Sequence, residues 1–122
     1  MITGIGIDII ELKRIDEAVK RNKKFVFRIL TESEINLYNS YSEHRATEFL
    51  AGRFAAKEAY AKARGTGIGK IKFTDIEFLP NNLGKPEYVP KKTADCHEQV
   101  LVSISHSKEF AVAQVLIQDI SQ

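Results

Sequence analysis

The sequence is poor in the features that mark secreted, membrane and nucleic-acid-binding proteins. Its one cysteine, Cys96, excludes an intramolecular disulfide and is typical of a protein kept in a reducing cytoplasm. No apolar run approaches the length of a membrane span, and the first residues carry an acid, Asp8, without the basic leader of a signal peptide. The formal net charge of +2 is too small for bulk binding to nucleic acid, although it leaves room for a local basic patch. We therefore expect a cytoplasmic protein that binds neither membrane nor nucleic acid.

Internal repeats, low-complexity segments and linkers are also lacking in the sequence. Its 122 residues, 28% of them charged and 43% hydrophobic, are typical of a globular domain. A chain of this size can bury a real core but leaves little material for a large cleft of its own. We predict one domain over residues 1–122.

The most informative stretch of the sequence is residues 42–69. It predicts a helix over residues 43–64, with Ser42 as the N-cap and Gly65 as a left-handed stop. The apolar residues surround the helix axis and do not form one stripe, which predicts a buried central helix. These residues are Ala46, Phe49, Leu50, Ala51, Phe54, Ala55, Ala56, Ala59, Tyr60, Ala61 and Ala63.

Charged side chains on such an apolar helix need an explanation, because lysine and glutamate are rarely buried unless they are paired or functional. Arg53, Lys57 and Arg64 fall within a narrow angular range and form a basic row. Glu58 and Lys62 stand at positions i and i+4. Taken alone, they predict an ordinary helix-surface pair worth about 0.2–0.5 kcal/mol.

The N-terminal segment reads as a strand over residues 2–10, in which isoleucines alternate with Gly4, Gly6 and Asp8. Two glycines on one face allow another backbone or a ligand to approach closely. Asp8 shares that face in apolar surroundings. Its carboxylate therefore needs a partner or a cation, unless it caps the helix that follows.

Three shorter helices are predicted between this strand and the central helix: residues 11–21, a short helix anchored by residues 25–30, and one that opens with the capping box Thr31–Glu34 and runs to about Ser40. The outer face of this region is basic, with seven cations against only Asp16 and Glu17. Such a face is either solvated or a docking surface. The cations are Lys13, Arg14, Lys20, Arg21, Lys23, Lys24 and Arg28.

The glycine-rich loop over residues 65–70 resembles a phosphate-binding loop, but the spacing is one residue short of a Walker A motif. Ile71 also replaces the required Ser or Thr, and the loop follows a helix and not a strand, so we reject that assignment. Free N–H groups of the loop could still contact a phosphate. The alternative is a flexible exit from the helix.

The remainder of the chain has β character. Apolar residues alternate over residues 71–78, turn signals follow at 81–86, and two apolar strands over 100–105 and 110–117 flank a hairpin turn at 105–109. The whole pattern predicts an α+β fold, in which a long central helix and shorter helices pack on a small antiparallel sheet.

Three separated segments together resemble one family. They are Gly-Ile-Asp at 6–8, Phe-Ala-Ala-Lys-Glu-Ala-Tyr-Ala-Lys at 54–62, and Ser-Ile-Ser-His-Ser at 103–107. Their order, their spacing and the chain length resemble the bacterial holo-acyl-carrier-protein synthases, the short type of 4′-phosphopantetheinyl transferase. Two departures are Ala55, where relatives often have Cys, Ser or Thr, and residues 91–97, which look shortened and irregular beside the family's usual helix.

This resemblance implies the 4′-phosphopantetheinyl transferase fold and a step of fatty acid biosynthesis. The family moves the phosphopantetheine arm of coenzyme A onto a serine of acyl carrier protein and releases adenosine 3′,5′-bisphosphate. It implies that Asp8 and Glu58 hold one Mg²⁺ and act in catalysis with Lys62, which can reach the pyrophosphate. It further implies that coenzyme A is bound by Arg53, Lys57, Gly65 and His106, with His106 on the 3′-phosphate. The proton acceptor is either Glu58 or a water activated by the metal.

The resemblance also implies two kinds of protein partner. Members of this short type are homotrimers that hold coenzyme A between neighbouring subunits. Acyl carrier protein is small and acidic, and we expect it to dock on the basic face through Arg14, Arg21, Lys24 and Arg28.

Two other classes of function fit the sequence less well. A small RNA- or nucleotide-binding module would use the basic row, but it leaves Asp8 and Glu58 without a role. A hydrolase would need a nucleophile with a histidine, and the sequence contains neither a triad arrangement nor a nucleophile elbow. Cys96 and the three histidines also lack the spacing of zinc ligands.

Overall fold

The structure is a computed structural model, and it describes residues 1–92 and 94–121. Helices and strands follow one another in the order β1 (Ile2–Glu11), α1 (Leu12–Arg21), α2 (Lys24–Ile29), α3 (Glu32–Ser40), α4 (Glu43–Arg64), a 3₁₀ turn (Phe73–Asp75), β2 (Phe78–Pro80), β3 (Pro86–Tyr88), β4 (Glu98–His106) and β5 (Phe110–Asp119). The long helix α4 packs on an antiparallel sheet, which confirms the predicted α+β class.

The sheet that supports α4 has the order β1-β5-β4, with both pairings antiparallel. The apolar strand β5 is central, and its small residues Ala111 and Ala113 face the helix with almost no exposure. The two-stranded ribbon of β2 and β3 forms a separate sheet. Register places Asp8 of β1 beside Ala113, which in turn pairs with Ile104 of β4.

Helix α4 has the predicted bounds and is buried on most sides. It ends at Gly65, whose φ of 80° is left-handed, as expected for a glycine stop. Ser42 occupies the N-cap position, but its side chain makes no capping hydrogen bond. The close approach predicted from the glycines of β1 is made by the α4 backbone. A Cβ on Gly6 would lie 2.0 Å from the Ala59 carbonyl oxygen, and one on Gly4 would lie 2.1 Å from that of Ala63.

Helices α1, α2 and α3 pack around the N-terminal half of α4 and form a second apolar cluster with it. The cluster includes Leu12, Ile15, Val26, Ile29, Leu30, Phe49, Leu50, Ala51 and Ala111. The predicted capping box is confirmed. The Thr31 hydroxyl accepts from the Glu34 N–H at 3.3 Å, and Glu34 accepts from the Thr31 N–H at 2.9 Å.

One local prediction is corrected by the structure, and another is confirmed. Residues 73–75 form a 3₁₀ turn where alternation predicted a strand, because the Asp75 carboxylate accepts from the Lys72 N–H at 3.0 Å and closes the turn. Residues 91, 92 and 94–97 are irregular and not helical, as the sequence predicted, while residue 93 lies outside the described residues. Among the helices of the described chain, none has both the length and the apolar character needed to span a bilayer.

Candidate active site

Three charged side chains meet where β1 runs beneath α4. Asp8 lies on the strand face that carries Gly4 and Gly6, so its carboxylate points toward the helix. The Lys62 amine donates to Asp8 Oδ1 at 3.1 Å and to the Ile7 carbonyl oxygen at 3.0 Å. The ion pair of Lys62 therefore connects two elements and is not the i,i+4 pair with Glu58. The cap alternative for Asp8 is wrong as well, because Glu11 is the N-cap residue of α1.

Glu58 shares this corner of the molecule with Asp8. Burial raises the pKa of the Glu58 carboxyl, and the charge of Asp8 raises it further, whereas Lys62 opposes the shift. The Asp8 side chain is only 17% exposed, while that of Lys62 is 52% exposed. Two partly desolvated carboxylates repel each other here, and the lysine beside them can move into solvent.

The donor set of this corner fits a hard divalent cation. Mg²⁺ binds through one or two carboxylates, with the remaining positions left for waters and substrate phosphate oxygens. A cation between Asp8 and Glu58 would offset both the burial and the repulsion by Asp8 that raise the pKa of Glu58. The residues present therefore match the requirements of a magnesium site, with Lys62 next to it.

A surface groove of about 390 Å³ opens beside this corner. It is lined by Ile5, Gly6, Ile7, Lys62 and Gln114. The lysine of the charged cluster thus forms part of the groove wall. A ligand lying in the groove would have its charged groups within reach of Lys62.

His106 lies elsewhere, at the end of β4 and against the N-terminal half of α4. A Cβ on Gly52 would stand 3.3 Å from its Nε2 atom, so glycine at 52 leaves room for the imidazole. Burial lowers the pKa of His106; Glu48 raises it, while Arg45 and Arg53 lower it. Strand β5 lies between β4, which carries His106, and β1, which carries Asp8. The two outer strands are therefore about 10 Å apart.

The predicted basic row on α4 does not form a ligand-binding surface. Lys57 is completely buried, and its amine donates to the Ile29 carbonyl oxygen at 2.6 Å and to Glu34 Oε1 at 2.5 Å. The prediction that Lys57 contacts coenzyme A is wrong in this fold, because both its position and its hydrogen bonds are internal. Burial is also the main cause that lowers the pKa of Lys57, while Glu34 opposes this effect.

The two arginines of the row are likewise engaged with other groups of the protein. Arg53 is 7% exposed, donates from Nε to the Phe78 carbonyl oxygen at 2.9 Å, and lies over the Phe49 ring. It is placed as a structural residue near His106, so the prediction of direct coenzyme A binding is not supported by its hydrogen bonds. Arg64 forms an ion pair with Glu98.

The glycine-rich loop offers fewer free donors than predicted. The N–H groups of Gly65, Thr66 and Gly67 bond to carbonyl oxygens of the last turn of α4 and so complete the helix end. The N–H of Gly69 bonds to the Ile71 carbonyl oxygen at 3.3 Å. The predicted coenzyme A contact of Gly65 therefore cannot use its N–H without opening the helix cap.

The basic face predicted on the N-terminal helices is exposed. Arg14, Arg21, Lys24 and Arg28 all lie on the surface of α1 and α2. Phe27, which the sequence analysis did not single out, is 63% exposed in the same region. Apolar periodicity alone would assign this aromatic side chain to the core, whereas it lies exposed within a basic surface.

A comparison of the sequence with models of protein families shows the family of this chain. Residues 4–115 match the model described as the 4′-phosphopantetheinyl transferase superfamily. The chain belongs to this superfamily. A holo-[acyl-carrier-protein] synthase of Geobacillus sp. (strain WCH70) is 54% identical over 122 residues, covering 99% of this chain and 100% of the relative. Another, of Bacillus cereus (strain AH187), is 54% identical over 123 residues and is matched along both full lengths.

Solved transferase structures share the fold. The crystal structure of a holo-(acyl-carrier-protein) synthase from Bacillus anthracis, described as a complex with CoA (3′,5′-ADP), has a TM-score of 0.88 at 54% identity and covers 98% of each chain. The Helicobacter pylori enzyme, in complex with coenzyme A, has a TM-score of 0.80 at 36% identity, covering 93% of this chain and 99% of the other. These matches confirm the resemblance drawn from the three sequence segments.

One further group of metal-binding side chains lies outside the transferase corner. Asp95, Cys96 and His97 bring three potential ligand atoms within 4.8 Å of one another. All three are exposed on one turn before β4, without the closed surroundings of a structural zinc site. The spacing of cysteine and histidine in the sequence did not indicate this group.

Proposed function

We propose that this protein transfers the 4′-phosphopantetheine group of coenzyme A to a serine of apo acyl carrier protein. The observation that carries the proposal is the meeting of Asp8, Glu58 and Lys62 at the contact of β1 and α4. In a chain that is 54% identical to holo-acyl-carrier-protein synthases along its whole length, this corner has the charges that attack on a pyrophosphate requires.

In the proposed reaction the serine oxygen attacks the phosphorus that bears the pantetheine arm. The bond from that phosphorus to the bridging oxygen breaks, the serine proton passes to Glu58 or to a water, and adenosine 3′,5′-bisphosphate departs. Asp8 and Glu58 would hold Mg²⁺, which would supply positive charge to the phosphate oxygens when bound. The Lys62 amine leaves Asp8 and donates to a pyrophosphate oxygen. Its exposed position permits this exchange.

Coenzyme A lies along the groove beside β1 in this proposal, with Lys62 at its pyrophosphate. His106 binds the 3′-phosphate, supported by the positive charges of Arg45 and Arg53 nearby. Because β5 separates Asp8 and His106 within one chain, we propose that the two groups serve a site shared between neighbouring subunits.

The proposed assembly is a homotrimer that covers the open face of the sheet. Ile5, Ile7 and Ile9 are 59%, 58% and 61% exposed on β1, and Leu101 is 42% exposed on β4. Isoleucines in a row on a strand are an apolar surface that soluble monomers rarely leave open. A second and third copy of this chain are the proposed occupants of the face.

The proposed docking surface for acyl carrier protein is the exposed basic face of α1 and α2, through Arg14, Arg21, Lys24 and Arg28. Complementary charge raises the association rate and fixes orientation. The exposed ring of Phe27 offers an apolar contact within this surface. The cytoplasmic location expected from the sequence stays a prediction.

The deciding experiment is mass spectrometry of apo acyl carrier protein incubated with this protein, coenzyme A and Mg²⁺. We expect the carrier to gain one phosphopantetheine and the solution to gain adenosine 3′,5′-bisphosphate in equal amount. Glu58→Gln and excess chelator should each abolish the gain. A nucleotide-binding module would bind coenzyme A without either product, so the absence of both products with several carrier proteins would reject the proposal.

A further inference from the structure

The face of α4 that points away from the sheet contains a fully buried ion pair. Lys57 of α4 and Glu34 of α3 are both 0% exposed, and their charged atoms are 2.5 Å apart. Neither side chain can touch a substrate of the proposed reaction. The family function therefore leaves this pair without an assigned role.

Every polar atom of the pair has a partner. Glu34 Oε1 accepts from the Thr31 N–H and from the Lys57 amine, and Oε2 accepts from the Phe78 N–H at 2.9 Å. The Lys57 amine also donates to the Ile29 carbonyl oxygen at 2.6 Å. The pair thus connects the end of α2, the start of α3 and strand β2 to a single position of α4.

Stability alone is a weak reason for such a pair. Replacing a buried ion pair by apolar side chains of similar volume is often neutral or stabilising, because the desolvation of two charges offsets their attraction. Removing one partner is costly, because the other charge then stays buried and unpaired. Directional hydrogen bonds, unlike apolar contacts, also fix the angle between the elements that they join.

The angle fixed here is the rotation of α4 about its own axis. Lys57 and Glu58 are consecutive, so their side chains project about 100° apart on the helix. A rotation of about 10° would displace a side chain about 6 Å from the axis by about 1 Å. A misplacement of about 1 Å at a reacting centre can cost about 10²-fold in rate. The orientation of Glu58 toward Asp8 is therefore sensitive to how Lys57 is held.

We propose that Glu34 and Lys57 are positioning residues whose ion pair sets the rotation of α4 and so aims Glu58 at Asp8. This role rests on the proposed metal site. The glycine contacts of β1 fix the distance between helix and strand, and the ion pair fixes the angle. Neither residue acts on the substrate itself.

The test is the double variant Glu34→Gln/Lys57→Met, which removes both charges and keeps the side-chain volumes. We expect it to remain folded, with kcat reduced at least tenfold and the Mg²⁺ concentration for half-maximal activity raised at least tenfold. The KM for carrier protein should not change, because the docking surface is elsewhere. A folded double variant with the kcat and Mg²⁺ requirement of the wild type would overturn the proposal.

The matched control is Arg64→Met/Glu98→Gln, which removes the ion pair that joins the C-terminal end of α4 to β4. It should lower thermal stability and leave the Mg²⁺ requirement unchanged. If the control raises the Mg²⁺ requirement as much as the first double variant does, the proposal is also overturned. Any weakening of α4 would then be enough to raise the Mg²⁺ requirement.

Two further measurements separate the possible failures. Asp8→Asn and Glu58→Gln are measured in the otherwise wild-type chain. If both keep the normal Mg²⁺ requirement, the metal assignment is wrong and the positioning role falls with it. If they lose activity while Glu34→Gln/Lys57→Met behaves as wild type, only the positioning role is overturned. Should the double variant fail to fold, Glu34→Asp keeps the charge on a shorter side chain, and a normal Mg²⁺ requirement in it would count against the proposal.

Discussion

At the scale of single residues, the proposed chemistry rests on the carboxylates of Asp8 and Glu58. They come from a strand and a helix 50 positions apart in the sequence. Burial and mutual repulsion raise the pKa of Glu58, and Lys62 compensates only in part. Binding of a cation to such a site is favourable, because the cation offsets the repulsion between two carboxylates that the fold holds near each other.

We predict that Asp8→Asn and Glu58→Gln each lower the rate of phosphopantetheine transfer by several orders of magnitude and leave the fold intact. Each variant removes the charge of one carboxylate of the proposed metal site and hardly changes side-chain size. Initial rates at saturating Mg²⁺ and circular dichroism measure the two effects. Glu87→Gln, at an exposed position of β3, is the matched control and should be as active as the wild type. Near-normal rates in either site variant would contradict the metal assignment.

A second residue-scale prediction concerns pH and His106. Burial lowers the pKa of His106 in the free protein, whereas a bound phosphate would raise it again. Between these two pKa values the complex holds one proton more than the free protein, so affinity falls as pH rises. The KM for coenzyme A should therefore rise by up to about tenfold per pH unit across that window.

The comparison substrate for this prediction is dephospho-coenzyme A, which lacks the 3′-phosphate. Its KM should show no such pH dependence. His106→Ala should raise the KM for coenzyme A and leave that for dephospho-coenzyme A nearly unchanged. Equal effects on the two substrates would remove His106 from the 3′-phosphate.

At the scale of secondary-structure elements, the contact between β1 and α4 determines the site geometry. The helix backbone lies directly on the two glycines of the strand, with carbonyl oxygens where Cβ atoms would otherwise stand. The same contact brings Lys62 to Asp8. Gly4 and Gly6 are therefore as much a part of the candidate site as Asp8, the acid that follows them.

We predict that Gly6→Ala destabilises the protein by about 3 kcal/mol or more, because the added Cβ would lie 2.0 Å from the Ala59 carbonyl oxygen and the helix must move. Denaturant unfolding measures the change. Gly84→Ala is the control, since Gly84 has a φ of 85° but nothing within 4 Å of the added Cβ. It should cost only the strain of the left-handed backbone, about 1–2 kcal/mol. Equal losses in the two variants would be inconsistent with the close contact.

At the scale of the whole molecule, two surfaces have different characters. The open face of the sheet is apolar, with a row of exposed isoleucines on β1. The face of α1 and α2 is basic, with seven cations against two acids over residues 13–28. The apolar face is suited to association with identical chains, and the basic face is suited to an acidic protein partner.

We predict that Ile7→Asp converts the proposed homotrimer to monomers and abolishes transfer, because a charge would be buried between the subunits proposed to share the site. Sedimentation velocity and the transfer assay measure the two effects. Leu83→Asp is the matched control. Leu83 is 93% exposed on the turn between β2 and β3, and its replacement should alter neither property. An active wild-type monomer would rule out the shared site.

The last prediction concerns carrier docking. Arg14→Glu should raise the KM for carrier protein at least tenfold, or about 1.4 kcal/mol, and leave the KM for coenzyme A nearly unchanged. The effect should weaken as ionic strength rises from about 0.05 to 0.3 M, because salt screens surface charges. Lys85→Glu makes the same change in net charge at an exposed position of the β2–β3 turn and should have little effect. A higher KM for coenzyme A alone would identify the basic face as a nucleotide site.

Much of this protein was determined by the sequence itself. Local patterns predicted α4 with its bounds, the Thr31–Glu34 capping box, the left-handed stop at Gly65 and the α+β class, because caps, periodicity and glycine conformations depend on neighbouring residues. The motif segments also indicated Asp8, Glu58 and Lys62 as the candidate site. That residues 1–122 form one domain stays a prediction.

Only the tertiary structure decided what each charge on α4 faces. The helical wheel placed Arg53 and Lys57 on the same side of α4, and this angular relation is correct. However, α2, α3 and β2 cover that side of the helix. The two side chains therefore form internal hydrogen bonds and do not form the predicted binding row. Lys62 found its partner 54 residues away and not one turn away. An angular position on a helix is a local property, whereas the burial of a charge depends on elements that arrive from distant parts of the chain.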